Sequence, residues 1–351
     1  MSKMIKYLGS KRTLVPVLGE LFTRSGAHTA LDLFTGTTRV AQEFNRRGGF
    51  VHANDTAAYA HVLAQCYVET DPATLDPAEL TEAIDRLMAL PDRRGYVTEV
   101  FCEQARYFQP HNGLRIDAIR AGIDELYAGS PLRPLLLTSL LEAADRVDST
   151  VGLQMAYLKE WSRRSYGRLQ MRPPEPAPGT GLAHQRDAAD LVDELPRVDF
   201  AYLDPPYNQH RYLNNYHVWE TLVRNDDPEH YGVACKRVDA RDPELKSRWN
   251  SKRLMPAEFD EVLARVSADV VVVSFSNEGF VPLPELVEMC AGRGAVEVLD
   301  FAFDRYIGAR LGIFNHLGKK VGKVSHTRNT EHVIVCGDPD TVAAMTLGLA
   351  A

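Results

Sequence analysis

The run Val198-Asp199-Phe200-Ala201-Tyr202-Leu203-Asp204-Pro205-Pro206-Tyr207 joins an apolar stretch to a stiff, polar exit. Residues 198 to 203 read as a buried strand, because the run is short, apolar and bounded by prolines. Proline carries no N–H and fixes φ, so the chain leaves a sheet rigidly there while its carbonyls stay able to accept hydrogen bonds. The Asp204 carboxylate accepts as well, and the Tyr207 ring offers a flat face. Two acceptors beside a ring suit a planar amine such as the exocyclic amine of a nucleobase. Taken alone, the same four residues also read as a proline-rich strand exit with a surface tyrosine, so their surroundings matter.

Upstream, Thr29 to Phe34 reads as a first buried strand, Thr35-Gly36-Thr37 as a tight turn, and Thr38 to Arg47 as a helix ended by Gly48-Gly49. Phe50 to Asn54 reads as a second strand closing on Asn54-Asp55. This βαβ start favours an α/β fold with a doubly wound, mostly parallel sheet, whose ligands sit at the carboxyl ends of the strands. The Gly36 turn and Asp55 both fall on that edge. Downstream, Gly181 to Gln185 resumes the sheet, and Ala188 to Leu195 reads as a helix before the Val198 strand. Asp269 to Phe275 is the most β-prone run of the chain, Pro284 to Ala291 a helix, and Val296 to Phe303 with Glu331 to Cys336 a closing pair of strands.

Between these halves the period changes. From Ala57 to about Val147 apolar residues recur at helical spacing (Leu80, Ile84, Leu87; Ile116, Ile119, Ile123), which predicts four or five helices. Ser149 to Pro178 looks irregular, and its mixture of Trp161, Arg163, Arg164 and Tyr166 fits either a linker or a DNA contact. The expected organisation is an α/β domain over residues 1–56 and 181–351, interrupted by a helical insertion over residues 57–180. Two further polar insertions are basic. Tyr231 to Arg253 carries seven basic and three acidic residues; Arg305 to Thr330 carries six basic residues and no acidic one. Either is a solvated face or a phosphate footprint.

Composition sets the class. The 351 residues are 45% hydrophobic and 25% charged, which is ordinary for a soluble globular protein. No apolar run is long enough to span a membrane, and Met1-Ser2-Lys3-Met4-Ile5-Lys6-Tyr7 does not read as a signal peptide. The five cysteines (Cys66, Cys102, Cys235, Cys290, Cys336) form no CxxC pair. Neither a metal site nor a disulfide framework is expected, and a reducing cytoplasm is the simplest setting. A net charge of −7 argues weakly against a nucleic-acid partner, although the distribution of charge matters more than its total.

The first turn lacks the GxGxxG of a dinucleotide site; only Gly36 matches. Asp55, about 20 residues on, stands where an acid accepts from ribose hydroxyls. Lys6-Tyr7-Leu8-Gly9-Ser10-Lys11 packs two cations and an aromatic around a glycine but lacks the spacing of a P-loop.

Taken in order, these motifs resemble the Dam-like DNA adenine-N6 methyltransferases. The resemblance runs from Lys6-Tyr7-Leu8-Gly9-Ser10-Lys11 through Leu31-Asp32-Leu33-Phe34-Thr35-Gly36-Thr37, Asn54-Asp55, the insertion and Asp187 to Asp204-Pro205-Pro206-Tyr207, the α-class order. Asn112 to Ile119, Tyr207 to Tyr212 with Asn215-Tyr216-His217, and Ser274 to Gly279 look like one branch of that family. One position departs from it: the family's first turn reads Phe-x-Gly-x-Gly, and Thr38 stands at the second glycine.

The resemblance implies a Rossmann-like methyltransferase that moves a methyl group from S-adenosylmethionine to the N6 amine of an adenine flipped out of double-stranded DNA. Phe34, Thr35 and Gly36 would line the methionine and ribose end of the cofactor, with Asp32 on the same strand. Asp55 would bind the ribose hydroxyls beside Asn54. Asp187 would lie near the cofactor's adenine or cap a helix. Lys6, Tyr7 and Lys11 would close over the cofactor carboxylate or a phosphate. Asp204 would also meet the cofactor, and with the Pro205 carbonyl it would accept from the target amine. Pro206 would stiffen the motif and Tyr207 would stack on the base. Asn208, Arg211 and Tyr212, with Lys319, Lys320 and Lys323 of the second basic segment, would contact DNA. No metal is implied. The insertion would be the target-recognition region, and a separate cognate restriction endonuclease the protein partner. Cytosine-N4 methylation, or a catalytically impaired DNA-binding relative, are the readings that compete.

Overall fold

The computed structural model describes residues 5–7, 11–209, 212–242, 247–304, 313–314, 320–322 and 328–349. The chain divides into two compact units, Met1–Val15 with Thr35–Asp187 and His210–Lys246, and Pro16–Phe34 with Ala188–Gln209 and Ser247–Ala351.

The second unit begins with α1 (Val15–Arg24) and β1 (Thr29–Asp32). The first unit continues with α2 (Arg39–Arg46), β2 (Phe50–Asn54), α3 (Ala58–Ala64), α4 (Pro77–Met88), α5 (Pro110–Tyr127), α6 (Arg133–Val147) and β3 (Gly181–His184). Two π-helical segments, Gln65–Glu69 and Val97–Gln104, interrupt the helical stretch. The chain returns to the second unit for α7 (Ala188–Glu194) and β4 (Val198–Leu203), then to the first for α8 (Tyr212–Asn215), α9 (His217–Arg224) and the short antiparallel pair β5 (His230–Tyr231) and β6 (Lys236–Arg237). The second unit ends with α10 (Met255–Arg265), β7 (Ala268–Ser276), α11 (Leu283–Ala291), β8 (Ala295–Asp304), the pair β9 (Ile313–Phe314) and β10 (Lys320–Gly322), β11 (Arg328–Gly337) and α12 (Pro339–Thr346).

The main sheet has seven strands in the order β3-β2-β1-β4-β7-β11-β8. β2 pairs with β3, β1 with β4 and β4 with β7 in parallel, whereas β11 runs antiparallel to both β7 and β8. The doubly wound, mostly parallel α/β fold expected from the sequence is the observed one. The reason is visible in the strands: β4 and β7 are buried along nearly their whole length, as strands covered on both faces must be. Several helices open with proline in their first turn, where the missing N–H costs nothing. Asp76 and Asp338 cap α4 and α12 through their side chains.

Each unit has its own core. In the second, Leu31, Ala201, Phe259, Val271 and Ile334 pack together; in the first, Tyr59, Leu63, Phe101, Ile119, Leu136 and Trp219 do. Each fully buried large side chain contributes about 1.5–3 kcal/mol. The compact units cut the chain elsewhere than at residues 57 and 180. Residues 210–246 join the helical segment because Tyr216, Trp219 and Leu222 bury themselves in its core.

The Asn112 to Ile119 stretch is a clasp for that segment. Asn112 accepts from the Leu169 amide at 2.9 Å and donates to the Gly167 carbonyl at 2.9 Å. Arg115 donates to the Met88 carbonyl at 2.8 Å. Asp117 accepts from the amides of Gly95, Val97 and Thr98 and from the Thr98 hydroxyl, capping the second π-helical segment.

Candidate active site

The candidate residues fall into two sets, each inside one unit. In the first unit, the turn after β1 is stitched to the end of β2. The Thr35 amide donates to the Asn54 carbonyl at 2.8 Å, and the Gly36 amide donates to Asp55 Oδ2 at 3.0 Å. Asp55 Oδ1 accepts from the Ala57 amide at 3.0 Å. Asn54 is held at both ends by the backbone of Arg186, the residue before Asp187, at 3.1 and 3.2 Å. Burial pushes the Asp55 carboxyl up, while the amides of Ala57, Gly36 and Thr56 pull it back down. An ionised carboxylate has about four lone-pair sites, so three amides leave capacity for a hydroxyl donor.

Gly36 has φ +50°, and a Cβ there would stand 3.2 Å from the Tyr7 ring. Tyr7 thus lies directly against the turn. It stacks on Tyr216 (centroids 4.6 Å) and Tyr212 (5.4 Å), and its hydroxyl meets that of Tyr59 at 3.3 Å. Burial pushes both the Tyr7 and Tyr59 phenols well above their ordinary value, so both stay neutral. The structure therefore joins Tyr7, expected at the cofactor, with Tyr212, expected at DNA, in one aromatic stack. Tyr59 was missed by the sequence reading, because an aromatic at helical spacing looks like core. So was Glu220, whose carboxylate receives the Tyr59 amide at 3.3 Å; an acid on the apolar face of α9 was the available signal.

Several expectations change. The Lys6 ammonium, expected over an anion of the cofactor, is engaged by Asp145 at 3.0 Å and Asp148 at 3.3 Å. The helix expected from Thr38 starts at Arg39, and Thr38 itself sits in the left-handed region at φ 62°. Part of the basic stretch 231–253 is engaged inside the protein: Arg237 is buried between Asp226 and Asp239, Arg248 pairs with Glu258, and Trp249 is in the second unit's core, whereas Arg241, Lys252 and Arg253 are exposed. A cation paired in this way serves a phosphate only by giving up its carboxylate, and for Arg248 that carboxylate, Glu258, is buried. Arg211, Lys319 and Lys323, and the side chain of Lys320, lie outside the described residues. The Lys11 carbonyl accepts from the amides of Leu14 and Val15, ahead of α1.

In the second unit, β4 delivers Asp204-Pro205-Pro206-Tyr207 at its carboxyl end. Tyr202 near the strand's end donates to Ser274 Oγ of β7 at 2.9 Å, both buried. The Tyr207 carbonyl accepts from the Phe280 amide at 2.9 Å, and its ring packs on Phe275 (centroids 5.6 Å). Phe275 can lie there only because residue 279 is glycine: a Cβ would stand 2.1 Å from the Phe275 ring. Asn208 is anchored through its carbonyl by Asn250 at 2.8 Å. Phe34 packs edge-on against Trp249 at 4.9 Å, and Asp32 is buried at the end of β1.

A doubly wound sheet whose β11 enters antiparallel between β7 and β8, with an acid at the end of β2 and Asp-Pro-Pro-Tyr at the end of β4, defines a Rossmann-like methyltransferase. The sequence profile of the D12 class N6 adenine-specific DNA methyltransferases matches residues 7–267, and the chain belongs to that family. It is 28% identical over 337 residues to the type II methyltransferase M.NlaIII of Neisseria lactamica, covering 92% of this chain and 98% of that one. It is 29% identical over 327 residues to the modification methylase LlaI of Lactococcus lactis subsp. lactis, covering 84% and 50%. Against the type II methyltransferase M.FokI of Planomicrobium okeanokoites it is 27% identical over 314 residues, covering 84% and 48%. The chain thus spans nearly all of the first relative and about half the length of the other two. No helix among the described residues is long and apolar enough to cross a membrane.

Proposed function

We propose that this adenine-N6 DNA methyltransferase takes its methyl group from S-adenosylmethionine and acts on an adenine turned out of double-stranded DNA. The observation that carries this is the Asp204-Pro205-Pro206-Tyr207 motif, placed at a strand's carboxyl end and braced through both the ring and the carbonyl of Tyr207. The first unit's turn fits the cofactor through its acid: Asp55 keeps acceptor capacity for a ribose hydroxyl, beside the Gly36 turn against which Tyr7 lies. Asp55, Asn54, Thr35, Gly36 and Tyr7 would hold it, with Asp32, Phe34, Lys11 and Asp187 around them. Bound there, S-adenosylmethionine supplies an electrophilic methyl group.

The protein's own part is to prepare the amine. The lone pair of adenine N6 is conjugated with the ring and is a poor nucleophile. Asp204 and the Pro205 carbonyl accept its two N–H groups, which favours a pyramidal nitrogen with its lone pair free. The same acceptors stabilise the positive charge that develops on nitrogen, and Asp204 can receive the proton afterwards. Flipping the base costs roughly a few kcal/mol; stacking on Tyr207 offsets about 1–3 kcal/mol of that.

Residues 57–180 are proposed as the DNA target-recognition region, the cytoplasm as the compartment, and a separate cognate restriction endonuclease as the partner, in line with relatives named modification methylases. The test is transfer of labelled methyl to unmodified DNA, followed by digestion to nucleosides. N6-methyladenine is expected with the natural chain and none with Asp204→Ala, which should still bind DNA. N4-methylcytosine, or full turnover by Asp204→Ala, would refute the assignment.

A further inference from the structure

We infer that residues 148–168 of the first unit form a rigid docking platform for double-stranded DNA, with Val151 and Met155 entering a groove and Arg163 and Arg168 on the flanking phosphates. The inference rests on the DNA-methyltransferase reading and identifies which part of the insertion touches the substrate.

The segment has almost no regular secondary structure, yet it is tightly fixed. Leu158 donates its amide to the Ser149 carbonyl at 2.9 Å, pinching residues 149–158 into a closed loop. Its hub is Asp148, a buried acid that receives Lys6 at 3.3 Å, the Thr150 hydroxyl at 2.6 Å and the guanidinium of Arg164. Arg164 also donates to the carbonyls of Asp148 at 2.8 Å and Thr150 at 2.7 Å, so the short 3-10 turn Arg163–Tyr166 is locked onto the loop. Within the loop, Gln154 is buried: its amide donates to the Asn215 carbonyl at 2.8 Å, and its side chain caps α9 through the Val218 amide at 2.9 Å.

This fixed loop leaves three large apolar side chains in water: Val151 at 51% exposure, Met155 at 44% and Tyr166 at 65%. A loop that is merely a connection has no reason to be held so firmly while showing apolar groups, and exposed apolar residues ringed by polar ones mark interaction sites. The charge says which partner. From residue 149 to 172 the chain carries Lys159, Arg163, Arg164, Arg168 and Arg172 against Glu160 alone, in a protein of net charge −7. Arg164 is consumed by Asp148. Arg163 and Arg168 are exposed and have no carboxylate partner among the described residues. Arg106 lies over the Trp161 ring at 4.8 Å, adding a flat cationic surface to the same segment. Cations and exposed apolar side chains carried by one fixed segment suit a polyanion with a groove, and proteins that distort DNA insert apolar wedges between base steps.

The test compares the natural chain with two surface variants, Val151→Ser/Met155→Ser and Arg163→Ala/Arg168→Ala. The probe is a mixed-sequence DNA duplex followed by fluorescence anisotropy at several salt concentrations. S-adenosylmethionine binding, measured by calorimetry, should be unchanged in both and serves as the check on folding. The arginine variant should bind DNA more weakly, with the slope of log K against log salt reduced by about 1.8, or 0.9 for each lost phosphate contact. The serine variant should lose about tenfold in affinity at unchanged slope, as expected for removing apolar contact alone. Unchanged affinity and slope in both, while the natural chain still yields N6-methyladenine, would overturn the platform and leave the enzymatic reading intact. Absence of N6-methyladenine from the natural chain would overturn both. A serine variant that shifts a dimer to monomer in sedimentation with DNA affinity unchanged would make the patch a contact between copies, which also overturns the inference.

Discussion

Substituting Thr38 should reverse an ordinary rule of helix stability. Thr38 precedes α2 with φ 62° and ψ 9°, in the left-handed region, and is fully buried. For an L-residue this region costs roughly 1–2 kcal/mol, and a β-branched side chain makes it a genuine outlier. The hydroxyl returns part of that cost by accepting from Gln42 Nε2 at 2.9 Å, while Gln42 in turn accepts from Arg46 at 3.0 Å. Thr38→Ala loses the hydroxyl and keeps a Cβ in the left-handed region. Thr38→Gly loses the same hydroxyl but removes the backbone strain. In an unstrained helix interior Ala is more stable than Gly by about 1 kcal/mol. Here Gly should be more stable than Ala by about 1 kcal/mol. Relative to Thr, the Ala variant should be destabilised by about 1–2 kcal/mol, because the buried hydrogen bond from Gln42 is lost. The assay is urea unfolding of the three proteins at equal m-value, read as the shift in midpoint. An Ala variant as stable as the Gly variant would refute the reasoning, since position 38 would then carry no positive φ. Glycine is also what the family's Phe-x-Gly-x-Gly turn has there, so Thr38→Gly should bind S-adenosylmethionine at least as well as the natural chain.

Gly279→Ala should force Phe275 off its seat beneath Tyr207, destabilising the protein by about 1–3 kcal/mol. It should lower kcat with cofactor affinity kept, and adding Phe275→Leu should recover part of the loss in steady-state assays. Asp148→Asn leaves Arg164 and Lys6 facing a neutral amide, but Lys6 keeps Asp145, Arg164 keeps the Asp148 and Thr150 carbonyls, and both cations are partly in water; a loss of about 1–3 kcal/mol is expected in chemical denaturation. His217 is buried and pushed down from 6.5 to about 3. Its Nε2 meets the Gln154 carbonyl at 3.0 Å, and its Nδ1 is buried with no hydrogen-bond partner among the described residues. The unfolded chain takes up the proton first, so stability falls by about 1.4 kcal/mol per pH unit between pH 6.5 and about 3 through this residue. His217→Gln should flatten that part of the stability profile, and an unaltered slope would remove His217 as its source.

Much of the fold was legible in the chain because its strands are buried on both faces. Val198 to Leu203 and Asp269 to Phe275 are continuous apolar runs with β-branched or aromatic residues, and both became central strands within a residue of the expected limits. The motif proposed for catalysis was legible for a different reason: Asp204-Pro205-Pro206-Tyr207 brings its acceptors and its ring together in four adjacent residues. What the sequence did not disclose involves partners far apart along the chain. Lys6 reads as a cation for the cofactor carboxylate or a phosphate, and nothing in its neighbourhood along the chain announces that Asp145 and Asp148, some 140 residues on, pair with it. Trp249 and Arg237 read as surface residues of a basic stretch until a core and two carboxylates close around them.

The sequence by itself determined the main strands of the sheet, the α/β class and the Asp204-Pro205-Pro206-Tyr207 motif that the proposed function rests on, since each depends on local periodicity or on neighbours in the chain. Only the tertiary structure decided which cations remain available to a phosphate, which tyrosines gather around Tyr7, and why residue 279 must be glycine. Those outcomes depend on burial and on contacts between residues distant in sequence, and a charge or an aromatic ring looks the same in the sequence whether it ends in water or in a core.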